Sequence, residues 1–444
     1  MAIDIDRRGP SPSPLPGVPA ERQLGLISAT ALVVANMIGA GVFTTSGFLL
    51  ADLRSRSGVL LVWVAGGVVA ALGALSYGAL ARRIPESGGE YLFLSRTLHP
   101  AAGYLAGWIS LLVGFSAPLA AVAFAFGEYA RPWLPDWPLQ LSGSLLLVLF
   151  SAVHAAHVQR GAWVQNLAVA VKLLAIALFL FFAFHRLPAP AETIWSAPSL
   201  SAFGVSLVWV SFSYSGWNGA VYVGGEVRNP ERNLPRSLLL GTAVVTVFYL
   251  ALNAVFLFAV PMEALSGKLD VGRIAAQALG GRRWADAMAV VVCLALVTSI
   301  SSLIMAGPRV YARMATDGYL PRWLAARHNP PRAAIAFQLM VALIFLWTAA
   351  YQSLLTYIGF TLGISTAATV LGLVVLRRRE GKALPVWGWP WVPGLFLLFV
   401  SAMTLFTIVR RPLESLVGLA TLAAGWVAWR WSDARRKPDT QPRC

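Results

Sequence analysis

Apolar stretches of about 20 residues recur about a dozen times along this chain, and nothing else in it constrains the fold as strongly. They begin near residues 25, 58, 99, 139, 163, 200, 237, 286, 334, 353, 388 and 412. Inside a lipid bilayer every backbone N–H and C=O needs a partner within the protein, so each stretch is expected as a helix. The residues are 57% hydrophobic and 12% charged, whereas a soluble domain carries about 25% charged residues. The expected class is an all-α polytopic membrane protein with 12 transmembrane helices.

An even number of spans puts both termini on one side. The loops on that side carry about 24 of the 35 Lys and Arg residues, against about 10 on the other. Both termini are therefore expected in the cytoplasm, in a plasma or bacterial inner membrane. The same asymmetry accounts for the net charge of +16, so the basic balance does not point to nucleic acid. Residues 1–24 read as a disordered cytoplasmic tail without a signal-peptide pattern, and residues 433–444 as a second tail.

Little else is available for chemistry. Of two cysteines, Cys293 falls in the eighth span and Cys444 ends the sequence, which leaves no disulfide framework. Walker A, C-x-x-C, G-x-S-x-G and H-x-x-E-H patterns do not occur. No cofactor or metal is expected. An enzyme would want acidic partners near His154 and His157, which lie towards a cytoplasmic end without any. A channel would want a filter repeat or a charged ring.

Two spans are interrupted. In the first, MIGAGVF places Gly39 and Gly41 around Ala40 in an otherwise apolar run, and each glycine costs about 1 kcal/mol against alanine in a helix. Close helix packing is one explanation; a helix broken to offer its backbone to a ligand is the other. The sixth span is interrupted in the same way by Ser211, Ser213, Ser215, Gly216, Asn218 and Gly219. Breaks at corresponding positions of two halves point to a transporter binding site. Spans one and six open two sets of five, residues 25–190 and 199–376, and an odd number inverts the second set relative to the first. Helices 11 and 12 follow in residues 386–432. The N–H groups of Ala40, Gly41 and Val42 would suit a carboxylate. Carbonyls near Phe212, Ser213 and Ser215 would suit an ammonium, and together they fit an α-amino acid.

One cation lies deep in a span. Lys172 is in the middle of NLAVAVKLLAIALFLFF, where an ammonium costs about 2.5–3.5 kcal/mol on insertion scales. Snorkelling is hard from that depth. The expected partners are backbone carbonyls or the hydroxyls of LVTSISSLIMAG, namely Thr298, Ser299, Ser301 and Ser302, although each hydroxyl has its own helical turn as an alternative acceptor.

With these residues in view, the chain resembles the amino acid–polyamine–organocation superfamily of transporters, and within it the L-type amino acid transporter branch. The resemblance runs over roughly residues 22–432 and rests on five segments in order: MIGAGVF, IPESGGEYLFLSRTL, FSYSGWN, GEVRNPERNLPRS and AGPRVYARMATDGYLP. It implies a leucine-transporter-like fold, a 5+5 inverted repeat plus two C-terminal helices, with helices 1 and 6 broken. It implies a substrate site at Ile38, Gly39, Ala40, Gly41, Phe212, Ser213, Ser215, Trp217 and Asn218, with Phe212 the aromatic that closes over the substrate. Lys172 matches a lysine that stands in place of a sodium ion, with Ser299, Ser301 and Ser302 around it, which implies sodium independence. The branch's Ala-Tyr-Gly-Gly is Ser213-Tyr214-Ser215-Gly216 here. The added hydroxyls either favour small or polar substrates or change helix packing. Animal members pair with a glycoprotein through a cysteine between helices 3 and 4. The loop RPWLPDWPLQ has none, so no disulfide-linked heavy chain is implied.

The expected function is sodium-independent transport of neutral L-amino acids by alternating access, as an exchanger. A proton-coupled symporter with Lys172 as proton carrier remains the alternative. A cationic amino acid or polyamine is less favoured, because carboxylates within the membrane are lacking.

Overall fold

The computed structural model describes residues 24–156, 161–188, 199–325 and 331–436. Residues 1–23 of the expected N-terminal tail, residues 437–444 of the tail expected from 433, including Cys444, and also His157 lie outside the described residues, while 433–436 belong to the last helix. Among the described residues, regular secondary structure is helical apart from one isolated bridge, Leu24 to Val227.

The first apolar run forms α1 (Leu26–Met37) and α2 (Gly41–Leu53), with residues 38–40 outside both. Next come α3 (Arg56–Arg83), capped by the Ser55 hydroxyl on Gly58 N–H, and the short α4 (Gly89–Thr97). The third run is continuous but changes character, from α5 (Pro100–Ile109) through a π-helical stretch (Ser110–Ser116) into α6 (Ala117–Ala130). Helices α7 (Leu139–Ala156) and α8 (Gly161–Phe184) complete the first half. In the second half, α9 (Leu200–Tyr214) is capped by Ser199 and stops at Ser215, and a 3-10 segment follows at Gly219–Glu226. After it come α10 (Pro230–Ala259), a one-turn α11 (Met262–Leu265) and α12 (Val271–Thr316). The chain ends with α13 (Arg332–Thr348), α14 (Tyr351–Glu380), α15 (Trp391–Arg410) and α16 (Pro412–Arg436).

Among the described residues, 10 helical runs are long and apolar enough to cross a membrane. The two remaining expected spans are the 17-residue α13 and the divided sixth run. Boundaries move in two places. The eighth run begins at Val271, well before the expected start, because helical turns precede a kink at Gly280 and Gly281. Tyr351 and Gln352, expected between spans nine and ten, open α14 instead.

Small residues let the inner helices touch. A Cβ at Gly67 would lie 2.7 Å from Thr246 Cγ2 of α10, and one at Gly78 would lie 3.1 Å from Pro235. Through such contacts α3 packs along α10, and α10 in turn packs on α1. Bundles in lipid hold together by this close approach, since lipid removes the hydrophobic drive between helices. Outward faces keep large apolar side chains such as Leu149, Phe181 and Val247 exposed, as a lipid-facing surface requires.

Candidate substrate site

Both interruptions open onto one cavity of about 110 Å³. That is below the ~300 Å³ typical of sites for drug-sized ligands, so it suits a small molecule. Gly39, Ala40 and Gly41 line it from the first break; Phe212, Ser213, Ser215, Trp217 and Asn218 line it from the second. Ser299 of α12 also reaches it. Of the expected site residues, Ile38, Lys172, Ser301 and Ser302 do not.

The first break has a local cause. After α1 ends, Ile38 takes φ −76°, ψ 84°, outside the helical region, and α2 restarts from Ala40. The first N–H groups of a helix have no partner within it. No acceptor outside the helix is recorded for Ala40, Gly41 or Val42 N–H among the described residues. Glycine is needed at 41 because the helices almost touch: a Cβ there would sit 2.5 Å from Ser213 Cα. At the second break Gly216 adopts φ +97°, in the region that disfavours a side chain, and it lies against the Asn36 backbone. Phe212 O accepts from Ser215 N–H at 2.9 Å, and Ser213 O accepts from the Tyr249 hydroxyl at 2.8 Å. A carbonyl has two lone pairs, so each keeps one for a ligand.

The paired hydroxyls separate into two roles. Ser213 Oγ donates to Trp209 O and pairs with Thr45 Oγ1 at 3.1 Å, so it joins α9 to α2. The Ser215 hydroxyl has no hydrogen bond recorded among the described residues and borders the cavity. Packing explains the first, and the second has no recorded protein partner among the described residues.

Lys172 is completely buried. Its Nζ donates to Ile38 O at 3.2 Å, and neither residue lines the cavity. The expected pairing with α12 hydroxyls is not formed among the described hydrogen bonds, because most of those hydroxyls are engaged elsewhere. Thr298 donates to Ala295 O and Ser302 to Ser299 O, each within its own helix. Ser301 pairs with His154 at 2.9 Å, which gives that histidine a structural partner. Lys172 thus fixes the break through its backbone.

Three side chains that the sequence does not single out complete the site. Tyr249 of α10 places its hydroxyl between Met37 O at 2.5 Å and Ser213 O at 2.8 Å, joining the two interrupted helices. Tyr77 of α3 sets its ring edge-on to Trp217, with centroids 4.7 Å apart. Glu90, on the short α4, lines the cavity although it is only 1% exposed. It accepts from Tyr77 at 2.7 Å, Asn218 Nδ2 at 3.1 Å and Ser365 at 2.8 Å. Burial pushes its carboxyl up from the ordinary value, and the three donors act in the opposite sense. The expectation that the site lacks a buried carboxylate is therefore corrected. The chain between spans two and three turns back into the bundle and carries one in. Two of these donors are on Oε1 and one is on Oε2, so three of the roughly four lone-pair positions of an ionised carboxylate are filled. Its only sequence signal was an acidic residue inside the apolar GGEYLFL.

Long apolar helices around a central cavity, two of them interrupted at that cavity, define the class: a polytopic membrane transporter. A family model described as amino acid permease matches residues 24–429, and the chain belongs to that family. It is similar to the large neutral amino acids transporter small subunit 2 of Mus musculus, with 29% identity over 92% of this chain and 80% of that protein. It is also similar to the Asc-type amino acid transporter 1 of Mus musculus, at 30% identity and the same coverage. The b(0,+)-type amino acid transporter 1 of Rattus norvegicus is 26% identical, over 95% of this chain and 91% of that protein.

Proposed function

We propose that the protein carries neutral L-amino acids across a membrane without sodium, by alternating access, as an exchanger. The observation that carries this reading is the cavity itself. Ala40 and Gly41, whose N–H groups have no recorded partner among the described residues, line it from one helix, and Phe212 and Ser213, whose carbonyls each keep a lone pair, line it from another. This arrangement matches the carboxylate and ammonium of an α-amino acid. Lys172 supports sodium independence, since its buried side-chain nitrogen already donates to Ile38 O beside the break. Two of the similar proteins bear names that specify large neutral amino acids or Asc-type amino acids.

The same reading takes the bundle as 12 transmembrane helices in two inverted sets of five plus α15 and α16, with Phe212 closing over the substrate. Both termini are cytoplasmic, in a plasma or bacterial inner membrane. Relatives named small subunits imply a larger partner for those proteins. Here the turn between α6 and α7 has no cysteine, and we assign no disulfide-linked heavy chain.

The test is uptake of labelled amino acids into sodium-free proteoliposomes, either preloaded with unlabelled substrate or empty. Uptake confined to preloaded vesicles is expected. Equal uptake into empty vesicles would overturn exchange, and its response to a pH gradient would then separate uniport from proton coupling.

A further inference from the structure

One buried carboxylate at the cavity is linked to two residues that also line it. Glu90 Oε1 accepts from both Tyr77 and Asn218, and Tyr77 packs edge-on to Trp217. Asn218 and Trp217 are neighbours on the irregular stretch between α9 and the 3-10 segment. That stretch has no regular backbone ladder to set its side chains, so something else must fix them.

The chemistry of the carboxylate fixes them in one sense. An ionised carboxyl accepts and cannot donate, so Asn218 must turn its Nδ2 towards it. The same Nδ2 also reaches the Tyr222 hydroxyl at 3.3 Å. Were Glu90 protonated, Ser365 on the other oxygen is a hydroxyl that can accept the proton, and Oε1 would still accept from Asn218. The orientation therefore holds in either state. The groups facing Glu90 from the packed elements are Tyr77, Tyr222, Asn218 and Ser365, and no cation is paired with it among the described residues. Asn218 lines the cavity, and with its nitrogen held by Glu90 its Oδ1 is left as the acceptor.

The geometry points to Glu90 as a positioning residue that turns the carbonyl oxygen of Asn218 into the cavity, so that the site selects a ligand offering a hydrogen-bond donor there. This deepens the amino acid reading and rests on it, with the substrate ammonium as the donor.

The test compares wild type with Glu90→Leu, Glu90→Gln, Asn218→Asp and the Glu90→Gln/Asn218→Asp pair, by KM and maximal rate of L-leucine or L-alanine exchange in preloaded vesicles. Glutamine keeps an acceptor for Asn218, so Glu90→Gln should stay within about threefold of the wild-type KM, while Glu90→Leu should raise it about tenfold or more. Asn218→Asp sets two carboxyl groups face to face and should also raise KM about tenfold. In the pair, the introduced glutamine can turn its amide to donate to the introduced aspartate, and KM should return to within about threefold of wild type. Maximal rate should change less than KM throughout. If Glu90→Gln is as impaired as Glu90→Leu, or the pair is no better than Asn218→Asp, the proposal falls. Melting temperatures of the purified proteins give a reading without ligand: Asn218→Asp should melt lower and the pair should recover. Should wild type exchange no amino acid, the substrate reading fails. The melting series still decides whether Glu90 orients Asn218.

Discussion

At Gly41 the distance between two helices is set by the absence of a side chain. A valine there would drive its Cβ into the Ser213 backbone, and the backbone of α9 has no room to yield because Tyr249 and Thr45 hold Ser213 in place. Gly41→Val is expected to abolish substrate binding, read by scintillation proximity or thermal shift with a saturating amino acid. Wild-type affinity in that variant would refute the backbone-carboxylate site. The two neighbouring serines should behave differently from one another. Ser213→Ala removes a buried pair of hydrogen bonds and should cost about 1 kcal/mol of stability, with selectivity unchanged. Ser215→Ala should leave the melting temperature alone and shift the relative uptake of serine against alanine.

Among the helices, the interrupted ones were legible because their sequence is expensive. Glycine and serine in the middle of an apolar run weaken the helix, and both runs break where those residues fall. What Lys172 binds was less legible. A hydroxyl in a helix has a carbonyl one turn back, and Thr298 and Ser302 take that local bond. The non-helical Ile38 leaves its carbonyl to the lysine instead. Glu90 was hidden for another reason. It sits on a nine-residue helix between spans, and span-by-span reading treats such a connection as lying at the surface. The lysine yields its own prediction. Lys172→Ala leaves the Ile38 carbonyl buried without its donor and should cut exchange severely at normal membrane abundance, measured in the same vesicles. Full activity in Lys172→Ala would show that α1 holds its break unaided.

Considered as a whole, the bundle is tied at opposite ends by separate polar contacts. Arg309 of α12 meets Glu226 at 3.0 Å, beside the backbone bonds that join Leu24 to Glu226 and Arg228. At the far ends of α2 and α15, Asp52 meets Arg410 at 3.4 Å. Alternating access requires one end to loosen while the other holds. Both pairs are partly exposed, so each is worth up to about 1 kcal/mol, enough to move a two-state population about fivefold. Arg309→Gln should shift the carrier by up to about that factor towards opening at its own end, seen as faster labelling of a cysteine introduced at Ser215. Asp52→Asn should shift it the other way. Equal labelling in both would mean that these pairs do not bias the exchange of states.

The Tyr249 hydroxyl between Met37 O and Ser213 O has one proton for two acceptors. While the interrupted helices lie together the proton is shared; when they part, it can remain with whichever carbonyl stays near. Separation therefore never strands a bare hydroxyl. The bond behaves as a coupling that changes hands, and it gives neither helix a permanent claim on the other.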